Sequence, residues 1–388
     1  MTEQYDPQAG FDWRSEFPVN DECSYLNHAA VAPWPESARK AINDFATENV
    51  ALGATHYPQW EKAEDKLRRN LETLIDAPRG SVALVKNTSE ALSFVAYGLN
   101  WQPGDVVVIS DQEFPSNRIV WESLADKGVK VVEVALPYDD PESELLMAIE
   151  QKPRLVSISA VQYASGLRLD IDRIGAACRA AGVLFCIDAI QAVGAQPFSV
   201  QQNQCDFAMA DGHKWMLGPE GLGFFYVRPE VMDLLRIQEY GWHMVADAGN
   251  YNTREWQLAP DAKRFECGSP NMLAGYALNA SLELILKVGL PQIEYAIAER
   301  IQYLKDGLME MEAVFLNPLI DERPSGILTF HFWNIDSARL HKTLMQTGVI
   351  CANRGGGIRF SPHFHTTQEA LDDALEALES LLPMLQPR

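Results

Sequence analysis

The sequence predicts an α/β protein, with a large doubly wound domain on a mainly parallel sheet followed by a small C-terminal α/β domain. Three observations carry that prediction. Six apolar runs of strand length, at 82–85, 106–109, 129–134, 155–158, 183–187 and 207–210, alternate with helix-like segments near 90–98, 116–127, 142–151 and 171–181. Such alternation builds a parallel sheet covered on both faces, whose strands are apolar throughout. The rhythm changes after about residue 265: a helical stretch over 273–316, broken near Gly289-Leu290-Pro291, precedes short strands around 327–333, 349–353 and 357–361. A final amphipathic helix covers 367–382. The chain is also long enough, at 388 residues, for two such units. We place an N-terminal arm at 1–20, the large domain at 21–265 and the small domain at 266–388.

Taken in order, residues 1–20 are polar with several turn formers and predict an irregular arm. Tyr25 to Pro33 is a short apolar segment rich in small residues, which lets a backbone approach something closely. A helix is expected from Glu36. Over 57–75, Trp60, Ala63, Leu67, Leu71 and Leu74 recur at three- and four-residue steps, the mark of an amphipathic helix.

A composition of 47% hydrophobic and 22% charged residues suits a globular protein that buries a full core unaided. The formal net charge of −21 repels phosphate, so neither nucleic acid nor an anionic membrane is an expected partner. A phosphorylated ligand would need locally placed donors. The six cysteines, at 23, 178, 186, 205, 267 and 351, stand singly with no CxxC pair. This predicts a reducing compartment and no metal. The opening MTEQYDPQAG has neither a basic nor an apolar leader region, and no uncharged apolar run reaches spanning length, so a cytoplasmic location is expected.

Ligands of parallel sheets sit beyond the carboxyl ends of the strands, so the residues after each run bear the chemistry. After 207–210 come Asp211-Gly212-His213-Lys214. A lysine held at the mouth of a strand can lose its charge through burial and attack a carbonyl to form a Schiff base; the plain alternative is a surface turn. After 82–85, Asn87 and Glu90 have the spacing of a capping box. It either only caps or also leaves free amides and the Thr88 and Ser89 hydroxyls for an anion. Phe114, beyond 106–109, either stacks on a planar ligand or closes the core. Asp188, at the end of an apolar run, needs a cationic partner when buried: a protonated pyridine, an arginine, or a helix end in its place. Gln191, three residues on, is within reach of the same ligand. A phosphate anchor, a flat face, an acid for a ring nitrogen and a lysine for an aldehyde form the set that pyridoxal 5'-phosphate (PLP) requires.

The motifs NTSEAL, DQEFPSN, IDAIQAVG, DGHKW with GPEGLG, FECGSPN and IRFSPHF resemble the class V aminotransferase group of PLP enzymes. The branch is that of cysteine desulfurases, selenocysteine lyases and isopenicillin N epimerase-like proteins, and the resemblance runs from about Tyr25 to Leu382. It implies the fold type I architecture of PLP-dependent transferases. It further implies Lys214 as the Schiff-base lysine, Asp188 on the pyridine nitrogen, Gln191 on the ring oxygen, and Thr88, Ser89 and His213 on the phosphate. Phe114 falls where many relatives stack a histidine. Ser269 matches a position that reaches the neighbouring subunit's phosphate, implying an obligate homodimer with shared active sites. Arg359 matches the arginine that grips the substrate carboxylate, with Arg354 ranked second and a surface ion pair as the alternative. His28 and Ala29 lie in the segment that relatives fold over substrate. Trp242 and His243 either line the pocket or are structural.

Three departures bear on activity. Desulfurases of this type carry a nucleophilic cysteine between the positions of Arg354 and Arg359, where this chain has only Gly355-Gly356-Gly357-Ile358. Cys351 is nearby, in a run that reads as packed. Asp211 stands among the cofactor-binding positions where relatives place a phosphate-binding serine, and its carboxylate is expected to point elsewhere or bind through a neighbour. Tyr163 replaces a carboxylate-binding asparagine. The expected activity is a C–S lyase on an α-amino acid, without the persulfide cysteine. Class V aminotransferase and epimerase are the alternatives, and a noncatalytic PLP-fold module is the rival of another class. A nucleotide enzyme is disfavoured, because no GxGxxG, GKS or GKT is present.

Overall fold

The computed structural model describes residues 13–252, 254–317 and 321–385. Its main sheet has seven strands: β1 (Val82–Val85), β2 (Val106–Ser110), β3 (Lys130–Val134), β4 (Leu155–Ser159), β5 (Leu184–Asp188), β6 (Phe207–Asp211) and β7 (Gly223–Val227). They lie in the order β1-β7-β6-β5-β4-β2-β3. Every pairing is parallel except those of β7, which is antiparallel to both β1 and β6. The return through β7 leaves the other six strands pointing the same way. Their carboxyl ends therefore share one edge.

Alternate residues of each strand go to opposite faces of the sheet. Phe185, Ile187, Ala208, Ala210 and Phe224 join one buried apolar layer, and Cys186, Phe207, Met209 and Phe225 join the other. Full burial of one such phenylalanine contributes about 2–3 kcal/mol relative to exposure. The helices start and stop where the chain directs. Asn87 accepts from Glu90 N at 2.9 Å to cap the helix Thr88–Gly98, and Asp170 caps Ile171–Ala181, which ends on Gly182 in the left-handed region. Glu90 reaches back to the Lys86 amide at 2.6 Å, one residue before the cap.

The C-terminal part builds a smaller antiparallel sheet from Val314–Phe315, Leu328–His331, Ala352–Arg354 and Gly357–Phe360. The break at Gly289 bends the helices Met272–Val288 and Leu290–Glu310 by 83°. Met272–Val288 packs on Glu36–Leu52 and Tyr57–Leu74, and Leu290–Glu310 on Gln368–Leu385. Among the described residues, no single helix is long and apolar enough to cross a membrane.

The N-terminal segment departs from an irregular arm. Residues 1–12 lie outside the described residues, but Trp13–Glu16 and Val19–Glu22 are helical turns. Phe17 between them is fully buried, its ring stacked on His365 at 3.6 Å. One large apolar side chain among polar neighbours is enough to pin the segment. The chain then pairs in parallel with the C-terminal part, Ser24–Tyr25 against Val349–Ile350, and bridges Asn27 to Ser361.

Candidate active site

The carboxyl ends of β1, β2, β5 and β6 bring together Thr88, Phe114, Asp188 and Lys214. Asp188 is the last residue of β5 and is buried, with Oδ1 accepting from Ile190 N at 3.0 Å. Burial raises its pKa, against the Ile190 bond and the Lys214 charge, while the neighbouring Glu113 carboxylate raises it further. Lys214 follows β6, and its Nζ lies 5.8 Å from the centre of the Phe114 ring. Burial lowers the ammonium pKa; Asp188 opposes that shift and Arg359 reinforces it. An acid pulled up beside a lysine pulled down can exchange a proton at little cost.

Phe114 is 42% exposed, which decides against a core role and leaves one face free to stack. Its loop is fixed from below by Glu113. That buried carboxylate accepts from Ser110 Oγ at 2.7 Å, Asn117 Nδ2 at 2.8 Å, Ser159 N at 3.0 Å and Ser159 Oγ at 2.5 Å. Ser159 pairs in register with Asp188, so the network also sits behind that acid. Nothing in the sequence singles out Glu113 as the hub, because two of those four hydrogen bonds come from the end of another strand, β4.

The helix N-terminus holds a surprise. Asp211 points straight into it: Oδ1 accepts from the Thr88 amide and from Thr88 Oγ1, the latter at 3.0 Å. Of the two expectations for this carboxylate, pointing elsewhere or binding through a neighbour, the first is corrected, because a helix N-terminus with unsatisfied amides attracts whichever anion is closest. His213 Nδ1 lies 3.4 Å from Asp211 Oδ2 and is buried without a hydrogen-bond partner. Ser89 is exposed, with Oγ donating to Ser116 Oγ at 2.9 Å.

At the other end stands Arg359, 2% exposed on the strand Gly357–Phe360. It donates through Nη1 to the Tyr163 carbonyl at 2.7 Å, and among the described residues its Nε has no partner and no acid lies within ion-pair distance. Burial and the nearby Arg354 lower its pKa to about 10. The surface-ion-pair alternative is thereby removed. A buried guanidinium without a counter-ion, in a chain with 53 acids and 32 lysines and arginines, is poised for a ligand anion. Tyr163 serves through its carbonyl, and its ring meets Phe114 edge-on at 5.1 Å. Arg354 is exposed and donates to the adjacent Asn353 carbonyl.

Two expectations need correction. His28 is not open to substrate: it is fully buried, with Nδ1 3.0 Å from the Ser361 carbonyl and Nε2 3.1 Å from His365 Nε2. Ala29 is likewise consumed, its amide donating to Ser361 Oγ and its carbonyl accepting from Gln191 Nε2, both at 3.0 Å. Gln191 is buried and held from both sides, its Oε1 accepting from Trp215 Nε1 at 2.8 Å, so one amide N–H remains for a ligand. Segment 27–32 is a strap rather than a lid, since Ala32 N also donates to the His213 carbonyl at 2.7 Å. Trp215 was missed as its keystone: it contacts Gln191, and its carbonyl meets His363 Nε2 at 3.1 Å. A Cβ on Gly326 would stand 2.3 Å from its ring, so only glycine fits there.

Ser269 lies in a cleft with Lys86, Glu90 and Cys267, apart from the chain's own Lys214. His243 is buried with Glu64 and Glu266, and Arg68 Nη2 already donates to both acids at 2.7–2.9 Å. That trio is the metal-capable group among the described residues, and an arginine holds the place of a cation in it. Trp242 is exposed, 5.9 Å from Tyr251.

The donor set fits PLP: a lysine for the aldehyde, an acid for the ring nitrogen, an open aromatic face, a helix N-terminus and an unpaired buried arginine. Bound PLP supplies an aldehyde and an electron sink for charge developing at a substrate carbon. The family model "Aminotransferase class-V" matches residues 24–373. The chain is similar to a probable cysteine desulfurase of Pyrococcus abyssi, 28% identical over 97% of this chain and 98% of that protein. It is equally similar, at 28% over 94% and 96%, to an uncharacterized aminotransferase, YcbU, of Bacillus subtilis. In structure it resembles the apo cysteine desulfurase of Thermococcus onnurineus, with a TM-score of 0.88 at 24% identity over 99% and 100% of the two chains. It also resembles the cystine C–S lyase C-DES, solved with its product cysteine persulfide, with a TM-score of 0.86 at 21% identity over 96% and 100%. The chain therefore belongs to the class V aminotransferase family, as an enzyme of fold type I whose cofactor is PLP.

Proposed function

We propose that this enzyme is a C–S lyase that cleaves a β carbon–sulfur bond of an α-amino acid without a thiol of its own. The observation that carries the reading is the cysteine inventory around an otherwise complete site. Ala352–Arg354 and Gly357–Phe360 form a hairpin closed at Gly355-Gly356, where no loop reaches toward Lys214. Cys178, Cys186, Cys205 and Cys351 are buried, and Cys23 and Cys267 are half-buried. Burial pushes Cys351 up to about 12 and raises the other five, so none is a ready thiolate.

In this reading Arg359 takes the substrate carboxylate on its free edge, with Tyr163 O holding the guanidinium in plane. Phe114 covers one face of the cofactor ring, and Asp188 keeps a positive ring nitrogen in place. Lys214 Nζ, whose basicity burial lowers, takes the Cα proton. The Cβ–S bond breaks with its electron pair on sulfur, and the sulfur leaves to solvent rather than to a protein thiol. The placement of Ser269 away from Lys214 supports a homodimer that shares its sites, and the unpaired cysteines support a cytoplasmic location.

The test is a screen of sulfur-bearing and sulfur-free amino acids that records keto acid, released sulfur and racemised substrate separately. Keto acid in step with released sulfur supports the lyase. Amino-group transfer without sulfur release would make it an aminotransferase instead, the reading that the YcbU likeness favours.

A further inference from the structure

The seat that the cofactor's phosphate needs already holds a protein carboxylate. Asp211 Oδ1 takes both the Thr88 amide and the Thr88 hydroxyl at the start of Thr88–Gly98. These are donors of the phosphate site. A phosphate ester above pH 7 carries close to two negative charges, and two anions at one helix end cannot both stay ionised at no cost.

The surroundings do not offset the extra charge. Lys214 faces Asp211 as a cation, but its nitrogen is the group that must meet the cofactor aldehyde. Glu220 faces Asp211 as a further acid, and the two strand-end acids Asp211 and Asp188 also repel each other. His213, 3.4 Å away, is held neutral by burial, its pKa lowered to about 4. Thr88 contributes only neutral donors. Burial raises the pKa of Asp211 before any phosphate arrives.

We propose that the cofactor's phosphate binds together with one proton, held between Asp211 and a phosphate oxygen, so that PLP affinity is proton-linked in this chain. The proton comes from solvent. On binding, Thr88 turns its donors to the phosphate, and an O–H···O bond replaces the lost carboxylate contacts. No other covalent bond forms or breaks. The proposal rests on the PLP site described above.

The experiment is calorimetry on the full chain freed of cofactor, with 4'-deoxypyridoxine 5'-phosphate as probe, which has no aldehyde and leaves Lys214 uncommitted. Titrations at pH 8 in two buffers of different ionisation heat count the protons taken up. The wild type is expected to take up about one proton per site, with affinity falling about tenfold per pH unit above pH 7. Asp211→Asn keeps an oxygen for the Thr88 amide and so keeps the cap. It should take up no proton, bind with little pH dependence, and bind roughly tenfold or more tightly than wild type at pH 8. Asp211→Ser should behave alike, and unphosphorylated deoxypyridoxine should not distinguish the three proteins. A wild type that takes up no proton, or an Asp211→Asn protein that takes up as many, would overturn the proposal. Failure of all three to bind the phosphorylated probe would instead overturn the cofactor site on which it rests.

Discussion

The two ends of the site treat charge in opposite ways. At one end Arg359 is buried with a single carbonyl contact and no acid, so its charge waits for a ligand. At the other, the helix N-terminus is already answered by Asp211. An unpaired buried cation costs the folded chain stability and is justified by what it binds. A capped helix end contributes stability and must be opened by what it binds. Substitutions at the two ends should therefore move stability and binding in opposite senses.

The largest effect tests what both ends serve. Lys214→Ala is expected to lower turnover by about 10⁴-fold or more in steady-state assays and to abolish borohydride fixation of PLP. Turnover that persists would dissolve the comparison, since neither end would then be aimed at this lysine. Next, Arg359→Met should lower kcat/KM on the order of 10³-fold while leaving the melting temperature unchanged or raised, because it removes an uncompensated buried charge. Arg359→Lys should not rescue, since an ammonium lacks the two-pronged edge. A destabilised Arg359→Met protein with normal kcat/KM would reverse the assignment.

The strap behind the site supplies a pH test. Burial lowers His28 to about 4, and His363 and His365 lie well below the ordinary histidine value. The folded chain thus binds fewer protons than the unfolded chain between pH 6.5 and about 4. Stability is full above pH 6.5 and falls as pH drops through that window, with about 3 kcal/mol from His28 alone at its lower edge. Urea titrations from pH 7 to 4 should show this loss, and His365→Phe should shrink it. The smallest effect belongs to Asp211→Ala, which should cost about 1 kcal/mol in the same titration through the lost contacts to Thr88 at the helix N-terminus. No loss there would mean that Asp211 is not holding Thr88 in solution.

Much of this was legible in the sequence. The strand ends were readable because each apolar run stops at a polar residue of distinct chemistry, which is how Asp188, Phe114 and Lys214 stood out. The antiparallel return of β7 and the direction in which Asp211 points were not, since both depend on which strand lies beside which. His28 misled for a related reason: its partners, Ser361 and His365, lie more than 330 residues away, and the resemblance alone suggested a cover over substrate. Gln191 stands three residues after Asp188 in the chain, but its clamp by Ala29 and Trp215 is a tertiary contact. Glu113 looked like part of a turn, and its donors, Ser110, Asn117, Ser159 and Gln162, come together only when the ends of β2 and β4 meet.

The proposed activity is carbon–sulfur cleavage by a site with no thiol of its own. The most direct test is sulfur release by the Cys23→Ser, Cys267→Ser double variant, which removes the two cysteines that are not buried. The expected result is a wild-type rate, keto acid in step with sulfur in solution, and an unchanged protein mass after turnover. Loss of sulfur release with PLP still bound, or a protein that gains sulfur during turnover of the wild type, would contradict it.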